Sequence, residues 1–147
     1  MRLRLTKMVM QNFKAVHNAE YDLDSNKVIV SGGNATGKTT LYEAYYWCLF
    51  GKTVTPNGIV QTQDADNKII HKVETSVELT LNLNDDYTIV IKRTSSEQWK
   101  ALGTAEEKYE GNEVQRYWNG VPITMSKYKA KLNEIYPIEK WQMVSNI

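Results

Sequence analysis

The run Gly32-Gly33-Asn34-Ala35-Thr36-Gly37-Lys38-Thr39 sets two glycines, a lysine and a hydroxyl in the spacing GxxxxGK[ST]. Each fixed position has a task in holding a polyanion. Gly32 lets the chain leave a strand in a tight turn, and Gly37 keeps side-chain bulk away where backbone must pass close to phosphate. The amides from Gly33 through Thr36, with those of a following helix N-terminus, converge on the anion, and the helix dipole adds partial positive charge. Lys38 reaches the β- and γ-phosphates, Thr39 offers its hydroxyl to Mg²⁺, and Thr40 adds a phosphate contact one step along. At average residue frequencies the pattern arises by chance in roughly one chain of this length in two hundred. It therefore predicts a site for ATP, or a similar nucleoside triphosphate, with magnesium.

Such a loop works only between a strand and a helix, and the flanking residues supply both. Lys27-Val28-Ile29-Val30-Ser31 is a compact β-branched run of the kind found in fully buried strands. From Lys38 to Phe50 a helix is predicted, with Tyr42, Tyr45, Tyr46 and Leu49 on one face and Leu41, Ala44 and Cys48 nearly completing an apolar circle. Gly51 suits the left-handed position that ends it.

Upstream, Leu3, Leu5 and Val9 alternate with polar neighbours as in a half-buried strand over residues 2–10. A turn over residues 12–18 and a short strand over 19–23 complete an antiparallel pair. Residues 53–68, with Pro56, Asn57-Gly58 and Asp64-Ala65-Asp66-Asn67, have loop chemistry. Residues 73–83 and 87–94 form two strands joined by Asn84-Asp85-Asp86, with Val77, Leu79, Leu81 and Leu83 on one face. Asn119-Gly120 marks a hairpin between residues 113–118 and 121–124. Ser126 is expected to cap a last helix with Tyr128, Leu132 and Ile135 inward, stopped by Pro137. The expected fold is mixed α/β (α+β): a P-loop half-domain with a strand–loop–helix core and an antiparallel side sheet, forming one domain over residues 1–147.

Composition bounds the rest. The chain has 147 residues, 41% hydrophobic and 24% charged, a balance that builds a core. It offers no apolar run of bilayer length and no apolar leader at its start, so membrane partners are not expected and a cytoplasmic location is. The net charge of +1 argues neither for nor against nucleic acid. Arg2, Arg4 and Lys7 read best as the solvated face of an edge strand. Cys48, the single cysteine, reads as a small core residue. His17 and His71 are isolated histidines without carboxylate partners, so neither is expected to be a ligand or a base.

Asn12-Phe13-Lys14, the loop from Gly33 through Leu41, Glu43-Ala44 and Leu49-Phe50-Gly51 together resemble the N-terminal head segment of SMC/RecF/SbcC-type ATPases. The resemblance is specific over residues 1–52, and beyond them it rests on strand-and-hairpin order. It implies that Asn34, Gly37, Lys38, Thr39 and Thr40 hold the triphosphate and that Lys14 reaches toward it. It also implies a complementary C-terminal lobe, a head-to-head dimer closed by ATP, DNA in the full assembly (nucleoid association in a bacterium or phage) and room for a nuclease subunit. Ala35 and Thr39 replace a common glycine and serine of the family, and both keep the loop compatible with phosphate.

Hydrolysis needs more than a cradle, usually a carboxylate ending a buried strand that holds magnesium and orients water. Asp85 and Asp86 are turn residues, and no Ser-Gly-Gly signature occurs apart from the phosphate loop itself. No catalytic residue is identified. In the resembled family those parts lie beyond a coiled coil, so the chain reads as the first lobe of a split head, with little turnover alone. Two other classes remain: a small P-loop kinase, for which only Arg93 and Arg116 follow the loop, and a nucleotide-dependent assembly module docking through Trp99, Tyr109, Tyr117 and Trp118.

Overall fold

The computed structural model describes residues 3–23, 27–31, 38–53, 60–66, 68–135, 137 and 141, with backbone alone at 27–31, 38 and 39. Seven strands form one antiparallel sheet: β1 (Leu3–Phe13), β2 (Val16–Asp22), β3 (Lys27–Ser31), β4 (Thr75–Leu83), β5 (Tyr87–Lys100), β6 (Lys108–Trp118) and β7 (Val121–Ile123). Their order across the sheet is β3-β2-β1-β4-β5-β6-β7. Helices α1 (Lys38–Phe50) and α2 (Met125–Ile135) complete the described elements. The expected core and side sheet are thus a single sheet.

Alternation decides which face is covered. Val77, Leu79, Leu81 and Leu83 on β4 and Ile89 and Ile91 on β5 all point into the core. Glu78, Thr80 and Asn82, half-buried, alternate with them on the opposite face, the pattern of an antiparallel sheet with one wet side. Both helices lie on the apolar side. The Tyr128 hydroxyl of α2 donates to the Cys48 carbonyl of α1 at 2.8 Å, and Tyr45 of α1 donates to the Trp141 carbonyl at 2.5 Å. Cys48 is buried, and desolvation pushes its thiol up to about 12, so it stays protonated as an inert core group.

Turn chemistry fixes the strand order. Asn119 (φ 49°) and Gly120 (φ 82°) make the two-residue turn that joins β6 to β7. Asn119 also continues the ladder onto β5, where its amide donates to Val90 O at 2.7 Å and its Oδ1 accepts from Val90 N at 2.8 Å. The left-handed φ at Asn84 and Asp85 confirms both as turn formers between β4 and β5.

Several expectations change. β1 is not an edge strand: it lies between β2 and β4, so Arg4 and Lys7 stand on the wet face of an interior strand, Lys7 paired with Glu20 at 2.6 Å. β3 pairs with β2 and ends the described sheet; the expected burial of its side chains falls outside the described residues. Most of the turn placed over residues 12–18 is strand, because Phe13 pairs with Val16 and only Lys14 and Ala15 remain to turn. Thr124 rather than Ser126 caps α2, its Oγ1 accepting from Lys127 N at 3.4 Å, because the helix starts at Met125, two residues earlier than a Ser126 cap requires. The hairpin β5–β6 runs further than its hydrophobic pattern, since its outer half is held by backbone pairing with exposed side chains.

Residues 60–66, part of the segment 53–68 expected as loop, pack beside the β1–β2 turn together with residues 68–71. Gln61 bridges to Phe13, and Ile70 N donates to Thr62 O at 2.9 Å. Glu97 of β5 clasps this segment. Its carboxylate accepts from Lys72 N at 2.6 Å, His71 Nδ1 at 2.7 Å and Gln61 Nε2 at 3.1 Å. His71 therefore does have a carboxylate partner. Burial pushes the Glu97 carboxyl up, but the hydrogen bonds from His71, Lys72 and Trp99 outweigh it and hold the group below its ordinary 4.5. A carboxyl depressed on folding contributes stability above the unfolded value and loses it as pH falls through the folded one. Urea midpoints measured from pH 7 down to 3 should drop below about pH 4.5 in the wild type and drop less steeply in Glu97→Gln. Parallel curves would show that the clasp adds nothing.

Candidate functional site

β3 ends at Ser31 and α1 begins at Lys38, so the glycine-rich run falls between a strand C-terminus and a helix N-terminus. That junction is what the motif requires, since it aims the helix's unsatisfied amides at the loop. Gly32, Gly33, Asn34, Ala35, Thr36 and Gly37 lie outside the described residues. Lys38 and Thr39 open the first turn of α1, and Thr40 follows, half-buried.

α1 is anchored so that its start is fixed. Leu41, Ala44, Tyr45, Trp47, Cys48 and Leu49 are buried, Trp47 meets the Phe13 ring at 5.9 Å, and the Cys48 thiol reaches Val77 O at 3.3 Å. At the far end Arg93 of β5 is 5% exposed and donates from Nε to Cys48 O at 3.1 Å and from Nη2 to Leu49 O at 3.5 Å. A guanidinium on the last carbonyls of a helix meets the negative end of its dipole. Gly51 follows with φ 69°, and a Cβ there would stand 2.9 Å from Arg93 Nη1. Sequence reasoning placed Arg93 in a strand without a task; an arginine among core-facing β5 positions was the available signal.

Lys14 turns the chain between β1 and β2 at φ 51°, its amide donating to Val60 O at 2.8 Å. Its ammonium is paired with the carboxylate of Glu43 on α1. The structure thus brings Lys14 onto the helix that opens with Lys38 and Thr39. Glu43 was missed as a site residue, although it stands four positions after Thr39 and so on the same helix face.

Other groups lie apart from this junction. A surface cavity of about 420 Å³ beside the start of β4 is lined by Lys72, Glu74, Ser96, Glu97 and Trp99 among others. Trp99 meets the rings of His71 at 5.7 Å and Tyr109 at 5.6 Å. Trp99 and Tyr117 are half-buried and Tyr109 is exposed, whereas Trp118, also half-buried, packs against the core with its ring 6.4 Å from that of Tyr128. Among the described residues no three His, Cys, Asp or Glu side chains gather as a metal site, and no helix is long and apolar enough to cross a membrane.

A mixed sheet-and-helix fold with this strand–loop–helix junction defines a protein of the P-loop nucleotide-binding class. The family model described as an AAA domain matches residues 7–140, and the chain belongs to that family of P-loop ATPases. The chain is also similar to the uncharacterized protein 050L of Invertebrate iridescent virus 6, at 28% identity over 117 residues. The match covers 78% of this chain and 10% of the viral protein, so the chain spans about a tenth of the length of that relative.

Proposed function

We propose that the chain is the N-terminal nucleotide-binding lobe of an SMC/RecF/SbcC-type ATPase head acting in DNA repair or recombination. The observation that carries the reading is the junction of Ser31 and Lys38 across a GxxxxGK[ST] loop. In this reading Gly32, Gly33, Asn34, Ala35, Thr36 and Gly37 wrap the phosphates of ATP with their amides. Lys38, Thr40 and Lys14 add side-chain contacts, and Thr39 holds Mg²⁺. A complementary C-terminal lobe supplies the carboxylate that orients water, two heads close on ATP, and hydrolysis releases them to move DNA-bound arms.

The strand β3 at the end of the described sheet is the edge on which such a lobe would add strands. The kinase alternative needs arginines free to clamp a transferred phosphate, whereas Arg93 is committed to the C-terminal carbonyls of α1.

Isothermal titration of the chain with ATP and Mg²⁺, paired with a steady-state phosphate-release assay, tests the reading. Expected are saturable, magnesium-dependent binding and little or no turnover. No binding would remove the nucleotide site, while brisk hydrolysis by the chain alone would remove the split-head reading and leave the site standing.

A further inference from the structure

We infer that Glu43 is a keeper for Lys14: its carboxylate holds the ammonium on α1 until a bound polyphosphate draws it away. The inference rests on the nucleotide site proposed above and adds a residue to it.

Three observations carry it. The Lys14–Glu43 pair is partly shielded, the two side chains being 27% and 18% exposed, so water weakens it less than an open surface pair. Lys14 is held at its root, with a left-handed φ and an amide bonded to Val60 O, so the side chain alone is free to swing. Glu43 follows Thr39 by one helical turn, which puts the pair about 6 Å along the axis from the expected Mg²⁺ ligand. A lysine side chain spans that distance by changing rotamers.

The charges explain why a keeper is useful. A polyphosphate arriving at the N-terminus of α1 brings several negative charges to within a helical turn of the pair. The ammonium is then offered a stronger anion than a single carboxylate, and the cost of breaking the pair is taken from nucleotide affinity. A ligand without phosphates leaves the pair closed. Glu43 acts through Lys14 and is a positioning residue.

The test is a double-mutant cycle read by titration of Mg·ATP into the whole chain with Glu43→Gln, Lys14→Met, both or neither. Glu43→Gln should tighten binding about fivefold where Lys14 is present. It should tighten binding less in the Lys14→Met background, where no pair has to open. A fixed structural pair gives the opposite order: Glu43→Gln helps only in the Lys14→Met background, by removing an exposed like charge, and that order overturns the inference. So does any weakening by Glu43→Gln beside Lys14.

A second measurement needs no variant. NMR of the wild type with labelled lysine should show the Lys14 ε-methylene signals moving on saturation with Mg·ATP and staying still with adenosine; unmoved signals under Mg·ATP overturn the inference. Wild type that binds ATP with no effect of Glu43 rejects the keeper alone. Wild type that binds no nucleotide rejects the proposed function, and the keeper with it.

Discussion

Lys38→Ala should weaken binding of Mg·ATP by roughly 30- to 100-fold, the loss that follows when one charge-assisted partner of a phosphate is removed. The lysine opens α1, where the helix amides already favour an anion, and its ammonium is the only full positive charge that the loop sequence itself contributes. Truncation removes that charge and leaves the backbone cradle, so binding should persist at high nucleotide concentration. Folding should be unaffected, because the packing of α1 comes from Leu41, Ala44, Tyr45, Trp47, Cys48 and Leu49. Titration of wild type, Lys38→Ala and a control at the exposed Lys68 checks it, with melting curves to establish equal folding. A loss under threefold at Lys38, or an equal loss at Lys68, would break the link between the motif and the site.

The largest expected effect on stability belongs to Arg93→Ala, at about 3 kcal/mol. Truncation strips Cys48 O and Leu49 O of a charged donor, removes the guanidinium lying 5.5 Å from the Tyr128 ring, and leaves a void in the core. One term opposes it. Arg116 stands directly across the β5–β6 ladder from Arg93, and losing one of two facing positive charges relieves repulsion. The fold tolerates the pair because the carbonyl end of α1 takes up the charge of Arg93. Arg93→Met, which keeps most of the volume and drops the charge, should therefore cost less than Arg93→Ala but remain destabilising. Urea denaturation of the three proteins decides it; a variant within 0.5 kcal/mol of wild type would mean that α1 needs no cap from β5.

The elements were legible where local chemistry suffices. The helix from Lys38 to Phe50, its glycine stop, the Asn119-Gly120 turn and the buried face of β4 follow from periodicity and turn propensity, and the structure has each of them. Register and neighbours were not legible in the same way. Alternating Leu3, Leu5 and Val9 says that β1 has one wet face, but a register shift between Leu5 and Lys7 puts Met8 and Met10 in the core and Val9 opposite Glu78 on the wet face. The interior place of β1 needed the pairing with both β2 and β4. The length of the β5–β6 hairpin was hidden for the converse reason: backbone pairing carries its outer half with no hydrophobic pattern to announce it.

The candidate site divides along the same line. The amino-acid sequence by itself supplied the GxxxxGK[ST] motif, because eight consecutive residues carry the whole pattern. Membership of a P-loop family follows from that local run and the elements beside it. Only the tertiary structure decided that Lys14 meets Glu43, that Arg93 closes the end of α1, and that Glu97 gathers Gln61, His71 and Lys72. Each of these joins residues 25 to 45 positions apart. Charge and hydrogen bonding act over a few ångströms in space, and nothing in the local pattern around either partner says which distant segment the fold will bring to it.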